Sequence, residues 1–203
     1  MKRAFFAAVL LVLAACGTSP GDAAPAADTA ASAPAERVDS VLPREEEMRR
    51  FTAGLGAPPE RLEGGEASLE ALARAHLRAT SRGDTAALRR MLLTRAEFAH
   101  LYYPHTPLSR PPYDLAPGLM WLQLTRASDV GAGTVLADLR GRSPRFRAVR
   151  CAAKPEAQGS GTVHAGCAVR FTLPGEGEEE RVLFGPVLER DGRFKFVSYG
   201  VPE

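Results

Sequence analysis

Imidazole and phenol side chains cluster in one short segment of this 203-residue chain, near the end of a predicted helix. The cluster comprises His100, Tyr102, Tyr103 and His105. Such groups can line a ligand site, because their aromatic faces make contacts while their polar tips orient the ligand. The alternative is an aromatic anchor for the proline-rich loop that follows. Pro104 lies between the two histidines, so they do not form a metal-binding pair on one helix.

Another histidine lies on the apolar stripe of an earlier predicted helix. His76 follows Leu69, Leu72 and Ala73 at the spacing of one helix face. An imidazole that lines a cavity can act as a general base, because its pKa is near neutral. The alternatives are a core histidine bonded to a neighbour and a residue at the edge of the surface.

No set of nucleophile, base and acid accompanies these side chains. Gly159-Ser160-Gly161 lacks the longer glycine pattern of a nucleophile turn, and a hairpin loop explains it. The sequence therefore predicts no catalytic residue, no metal and no cofactor. We expect a non-catalytic role in binding or structure.

The first sixteen residues indicate where the protein resides. They run from a basic start through an apolar stretch to small residues before Cys16, the order of a secretory signal. Leu13-Ala14-Ala15-Cys16 resembles the lipobox of bacterial lipoproteins. The resemblance implies removal of residues 1–15, acylation of Cys16 and a stable lipid anchor in the cell envelope. The alternative is an ordinary signal peptide with an incidental cysteine. Gly17 follows the cysteine. If the organism has two membranes, this resembles lipoproteins that are passed to the outer membrane and lie on its periplasmic side.

Composition after the signal favours a tethered globular domain. Residues 17–36 contain no large apolar side chain, so we expect a disordered Ala/Pro-rich tether over 16–42. Without Lys2 and Arg3, the 26 basic residues become 24 and equal the 24 acidic ones. Zero net charge without a long basic run argues against nucleic-acid binding. The expected partners are the membrane, through the anchor, and an envelope protein.

The two remaining cysteines are predicted to form a disulfide. An exported domain meets an oxidising environment, where an even pair indicates a bridge. Strands predicted over 146–152 and 162–173 pair around a loop near Gly159, which sets Cys151 opposite Cys167. The alternative is two buried free thiols. A metal site is less favoured, because no Cys-x-x-Cys motif or nearby histidine pair completes four ligands.

The elements that must position these side chains change from helical to extended along the chain. Helical periodicity predicts helices over 43–55, 69–81, 84–93, 94–103, 115–124 and 129–140. Ser68, Asp84 and the capping box of Thr94 and Glu97 mark three of their starts. The helix over 115–124 is apolar nearly all round, so we expect it to be buried. The second half predicts strands over 146–152, 162–173, 181–189 and 193–200, and Asp191-Gly192 joins the last two. The predicted fold class is α+β over 43–203, with helices on one face of a four-stranded antiparallel meander.

Residues 73–92 carry a family resemblance. Two predicted helices joined by Gly83 and Asp84 resemble the opening helix pair of the NTF2-like superfamily. The resemblance implies a curved sheet and helices that enclose a cone-shaped cavity. The leading hypothesis is an envelope lipoprotein that presents its domain to a protein partner or a small ligand. The alternative is an NTF2-like enzyme or ligand carrier, whose cavity His76 and the 100–105 cluster would line.

Overall fold

Capping side chains fix the starts of three helices, as the sequence predicts. In the computed structural model, which describes residues 42–152 and 154–200, Ser68 accepts a hydrogen bond from the Ala71 N–H and Asp84 accepts one from Ala87. Thr94 and Glu97 form the predicted capping box. The predicted signal peptide, Cys16 and the predicted tether up to residue 41 lie outside the described residues. The described residues belong to one compact unit.

Within the part of the chain that the structure describes, five α-helices precede the strands. Their bounds are α1 Arg44–Thr52, α2 Leu69–Arg82, α3 Thr85–Met91, α4 Arg95–Glu97 and α5 Pro117–Leu139. A π-helical turn over Phe98–Tyr102 continues α4, and two 3-10 turns follow over Tyr103–His105 and Pro107–Ser109. The helix predicted over 94–103 is therefore α-helical only at its start.

Helix α5 corrects two predictions. It is one helix of 23 residues where the sequence predicts two, and it is not buried all round, since Leu119 and Leu122 are each 47 % exposed. Glycine disfavours a helix interior by about 1 kcal/mol, so Gly131 and Gly133 weaken the helix predicted over 129–140. Tertiary packing outweighs that cost, because the backbone of Tyr199 lies against Gly131 too closely for a side chain.

The strands form two antiparallel sheets and not the single four-stranded meander that was expected. Their bounds are β1 Arg145–Cys151, β2 Glu156–Gln158, β3 Gly161–His164, β4 Cys167–Leu173, β5 Gly177–Val182, β6 Val187–Arg190 and β7 Arg193–Phe196. One sheet has the order β1-β4-β5 and the other β2-β3-β6-β7. Gly166, at φ +63°, interrupts the strand predicted over 162–173. Its two parts, β3 and β4, belong to different sheets.

The α+β class is confirmed, and so is the last hairpin. Asp191 and Gly192 both have positive φ, and Arg190 pairs with Arg193 across them. Two apolar clusters form the core. The first joins α2, α3 and the end of α5 to β4 and β7, and the second gathers Phe51, Phe98 and Met120 with Leu188 of β6.

Candidate functional site

His76 lies in the first core cluster. It is 1 % exposed, and its ring is within 5.6 Å, centroid to centroid, of the rings of Phe184, Phe196 and Tyr199. Neither ring nitrogen has a hydrogen-bond partner among the described residues. Burial lowers the pKa of His76 to about 3, so the imidazole stays neutral at neutral pH. The structure places His76 among core side chains and away from solvent.

The 100–105 cluster belongs to the second core cluster. Tyr102 and Tyr103 are buried there, and burial raises the pKa of both phenols. The Tyr103 hydroxyl donates to the carbonyl oxygen of Leu115 at 2.7 Å, which fastens the proline-rich loop to the core. His100 and His105 are half-buried. The structure thus gives Tyr103 an anchoring contact and does not bring this cluster together with His76.

The predicted disulfide is confirmed. Cys151 of β1 lies directly opposite Cys167 of β4 in the strand register, and their sulfurs are bonded. Cys167 is fully buried in the first core cluster. The bridge therefore joins the edge strand β1 to the centre of its sheet.

A buried ion pair is the polar centre that the sequence does not reveal. The Lys195 Nζ lies 2.7 Å from Oε2 of Glu97, and both side chains are at most 2 % exposed. Lys195 alternates with Phe194 and Phe196 along β7, so it faces the opposite side of the strand. That side is covered by Glu97 and the loop over 63–66.

The ion pair ties that loop to the rest of the domain. Oε1 of Glu97 accepts from the Glu63 N–H at 2.7 Å, and Lys195 donates to the Glu63 carbonyl at 3.2 Å. Glu66 and Phe194 then exchange two backbone hydrogen bonds. Gly65 has φ +75° and leaves no room for a side chain against Phe194. The loop over 63–66 is therefore held at both ends.

An open cleft of about 540 Å³ lies between this loop and helices α2 and α3, and we call it the arginine cleft. Its helical wall carries four exposed arginines, and Lys195 lies at its base. The arginines are Arg78, Arg82, Arg89 and Arg90. Within residues 42–152 and 154–200, none of the four has a carboxylate oxygen within 4 Å. Their guanidinium groups are available to donate to an anion.

A second surface is the outward side of α5, which we call the α5 face. Its ridge consists of Leu119, Leu122 and Val130, and Val130 is 71 % exposed. Among its 23 residues α5 has three charged ones, Arg126, Asp129 and Asp138. Solvent-facing helix surfaces ordinarily carry charged and polar residues, so this face is unusually apolar.

Two shallow grooves flank the α5 face. One, of about 350 Å³, is lined by apolar side chains that include Leu92, Trp121 and Leu124. The other, of about 430 Å³, is lined by Val130, Val182 and neighbours of both. The first groove shares Arg89 and Leu92 with the arginine cleft. Together the ridge and the two grooves form an uneven, mainly apolar surface to which another protein can be complementary in shape.

Comparison with known protein families, with characterised proteins and with solved structures finds no match for this chain. Among the described helices, none combines the length and the apolar character needed to cross a membrane. In the same part of the chain, no three His, Cys, Asp or Glu side chains are grouped as metal ligands. Function is therefore inferred from the surfaces themselves.

The sequence shows part of each surface. The apolar residues of 115–124 stand out, but a helix with that pattern is predicted to be buried and not exposed. The arginines of α2 and α3 are plain in the sequence, yet their common cleft depends on the loop over 63–66. Glu97 is identified as a capping residue, and nothing in the chain near it indicates that Lys195 is its partner.

Proposed function

We propose that this protein is a lipid-anchored lipoprotein of the bacterial cell envelope that acts by binding a protein partner through its α5 face. The lipobox-like residues Leu13–Cys16 support the anchor, and the composition of 17–36 supports a tether. Gly17 supports the periplasmic side of the outer membrane where two membranes are present. The observation that carries the binding role is the exposed ridge of Leu119, Leu122 and Val130.

The physical reason to expect a partner is the favourable free energy of removing exposed apolar surface from water. Burying a leucine or valine side chain fully is worth about 1.5–3 kcal/mol, and contiguous exposed apolar surface on a folded domain marks an interaction site. Protein interfaces are depleted of charged residues at their centre but enriched in arginine. Helix α5 carries three charged residues among 23, and Arg126 lies between Leu122 and Val130 on the ridge. The partner is therefore a protein with an apolar surface, such as a helix whose side chains enter the flanking grooves.

Membrane fractionation tests the anchor. Cys16→Ser removes the sulfur that would carry the lipid, and we expect the protein to leave the membrane fraction. Ser19→Ala, three residues away, is the matched control and should stay membrane-bound. Continued tight membrane association of Cys16→Ser would exclude the lipoprotein assignment.

Crosslinking in intact cells tests the α5 face. Leu119→Lys/Leu122→Lys places two charges on the ridge and should abolish the crosslinked complex. Ala157→Lys/Ser160→Lys adds the same charge at exposed positions of the β2–β3 hairpin, outside α5, and the complex should persist. Equal loss in both variants would show that added charge, and not the ridge, controls association.

A further inference from the structure

We propose that the arginine cleft binds a small phosphate ester that also carries an amino or hydroxyl group. This inference concerns a surface other than the α5 face and does not depend on the proposed protein partner. It rests on the placement of four arginines, on the fixed opposite wall, and on the acidic side chains of that wall.

The arginines of α2 share one helix face. Arg78 and Arg82 are four residues apart, and Ala75 and Ala79 complete the same face toward the cleft. Side chains at this spacing are neighbours, and like charges there destabilise a helix by a few tenths of a kcal/mol. An anion bound between the two guanidinium groups removes that repulsion.

The second pair comes from α3. Arg89 and Arg90 are exposed in its last turn and line the same cleft. Some arginines elsewhere in the domain meet a carboxylate directly, as Arg181 does with Asp138 at 2.7 Å. Four unneutralised guanidinium groups around one cleft fit a phosphate well, because the planar guanidinium donates two parallel hydrogen bonds to phosphate oxygens.

Lys195 does not itself supply the positive charge of the site. Its ammonium is matched by Glu97, so the base of the cleft is close to neutral. The pair instead holds Glu63 in place through two hydrogen bonds. A wall that is already fixed loses little conformational entropy when a ligand binds.

The opposite wall determines the other end of the ligand. Glu63 and Glu66 line the cleft across from the arginines, whereas the carboxylate of Asp84 already accepts from the Ala87 N–H at 2.8 Å. The two glutamates can accept hydrogen bonds from an amine or a hydroxyl. The ligand is therefore expected to carry phosphate toward the helices and a donor toward the loop.

Titration of the purified protein with O-phosphoethanolamine, followed by phosphorus NMR, tests this site. Wild-type protein should bind saturably. Arg78→Gln/Arg82→Gln should raise the dissociation constant about tenfold or more, because charge-assisted hydrogen bonds are lost. These two positions line the arginine cleft but not the neighbouring apolar groove. Both arginines are exposed, so thermal melting should confirm that the variant remains folded.

Arg145→Gln/Arg147→Gln is the matched control, since it removes two exposed arginines of β1 that lie outside the cleft. It should leave the dissociation constant within about twofold. Glu63→Gln/Glu66→Gln should weaken O-phosphoethanolamine more than inorganic phosphate. Equal weakening by the two arginine pairs, or no saturable binding by the wild type, would overturn the proposal.

The source of the phosphate is distinguished by competition. Vesicles of phosphatidylethanolamine that displace O-phosphoethanolamine, where phosphatidylcholine vesicles do not, would assign the cleft to a lipid headgroup. Saturable binding that neither vesicle displaces would assign it to a soluble phosphate ester. Either result supports the site.

Discussion

Two helical surfaces of this domain face solvent with opposite chemistry. Helices α2 and α3 carry five arginines over their 21 residues, while the 23 residues of α5 carry one. The exposed arginine side chains are well hydrated, so no protein partner is needed to cover them. The α5 ridge exposes leucine and valine side chains. Covering them with another surface lowers the free energy of the protein and its solvent. The difference teaches that one domain can present a charged cleft and an exposed apolar ridge side by side.

What lies beneath the two surfaces differs as well. The elements that form the arginine cleft also hold buried polar groups: Lys195 lines the cleft, Glu97 pairs with it, and His76 lies on the core side of α2. Under α5 the chain makes close backbone contacts, in which Gly131 meets Tyr199 and Gly200 meets Ala127. The cleft side should therefore respond to charge and pH, and the α5 side should respond to added volume.

Removing the buried lysine should have the largest effect. Lys195→Met leaves the Glu97 carboxylate buried without its counter-ion, which costs about 3–5 kcal/mol of unfolding free energy. Urea unfolding measures this loss. The double variant Glu97→Gln/Lys195→Met removes both charges but keeps a side-chain acceptor, so it should recover much of the stability. A loss below about 1 kcal/mol in the single variant would contradict a structural role for the pair.

Removing the disulfide should come next and should affect neither surface. Cys151→Ala/Cys167→Ala opens a link of sequence separation 16, which stabilises by about 3 kcal/mol in chain-entropy terms. Unfolding curves with and without reductant provide the measurement, since reduced wild type should match the variant. Neither cysteine lines the arginine cleft, so a change in O-phosphoethanolamine affinity would show that the two regions are coupled.

Acidic pH should lower the free energy of unfolding through His76. Its folded pKa of about 3 lies below the ordinary value of 6.5. Below pH 6.5 the unfolded chain binds a proton that the folded chain refuses, so this contribution to stability falls as the pH drops from 6.5 toward 3. The loss is about 2 kcal/mol between pH 7 and pH 5.

Two variants isolate that effect. His76→Phe keeps an aromatic ring among Phe184 and Phe196, and unfolding curves at pH 7 and pH 5 should lack this part of the difference. His100→Gln also removes one histidine, but it should keep the wild-type loss. The same acid sensitivity in His76→Phe and the wild type would refute the assignment.

A pair of glycines gives the smallest effect and the sharpest test of the α5 side. Gly131→Ala should lower the unfolding free energy by about 1–3 kcal/mol, because its methyl group overlaps the Tyr199 carbonyl. Gly133→Ala meets open space in the same helix and should raise it by up to about 1 kcal/mol. Thermal melting compares the two, and equal shifts would argue against close packing there.

Local signals in the sequence predict local structure well. Ser68, Asp84 and Thr94 begin their helices as expected, Asp191 and Gly192 turn the last hairpin, and Cys151 pairs with Cys167. Each of these outcomes depends on residues close in the chain or on the register of one strand pair.

Features that depend on distant contacts escape the sequence. Glu97 and Lys195 are 98 residues apart, and α5 continues through Gly131 because Tyr199 packs there. The division into two sheets at Gly166 also depends on distant pairing, because β3 pairs with β6 while β4 pairs with β1 and β5. The arginine cleft could not be predicted, since its second wall is a loop held by that distant ion pair.

Position-specific photo-crosslinking in intact cells tests the central contrast most directly. A photo-reactive side chain is placed at position 122 on the α5 ridge or at position 78 in the arginine cleft, and the crosslinked products are compared. We expect a discrete protein adduct from position 122 that Leu119→Lys eliminates, and none from position 78. The same adducts from both positions, or an adduct from position 78 alone, would contradict it.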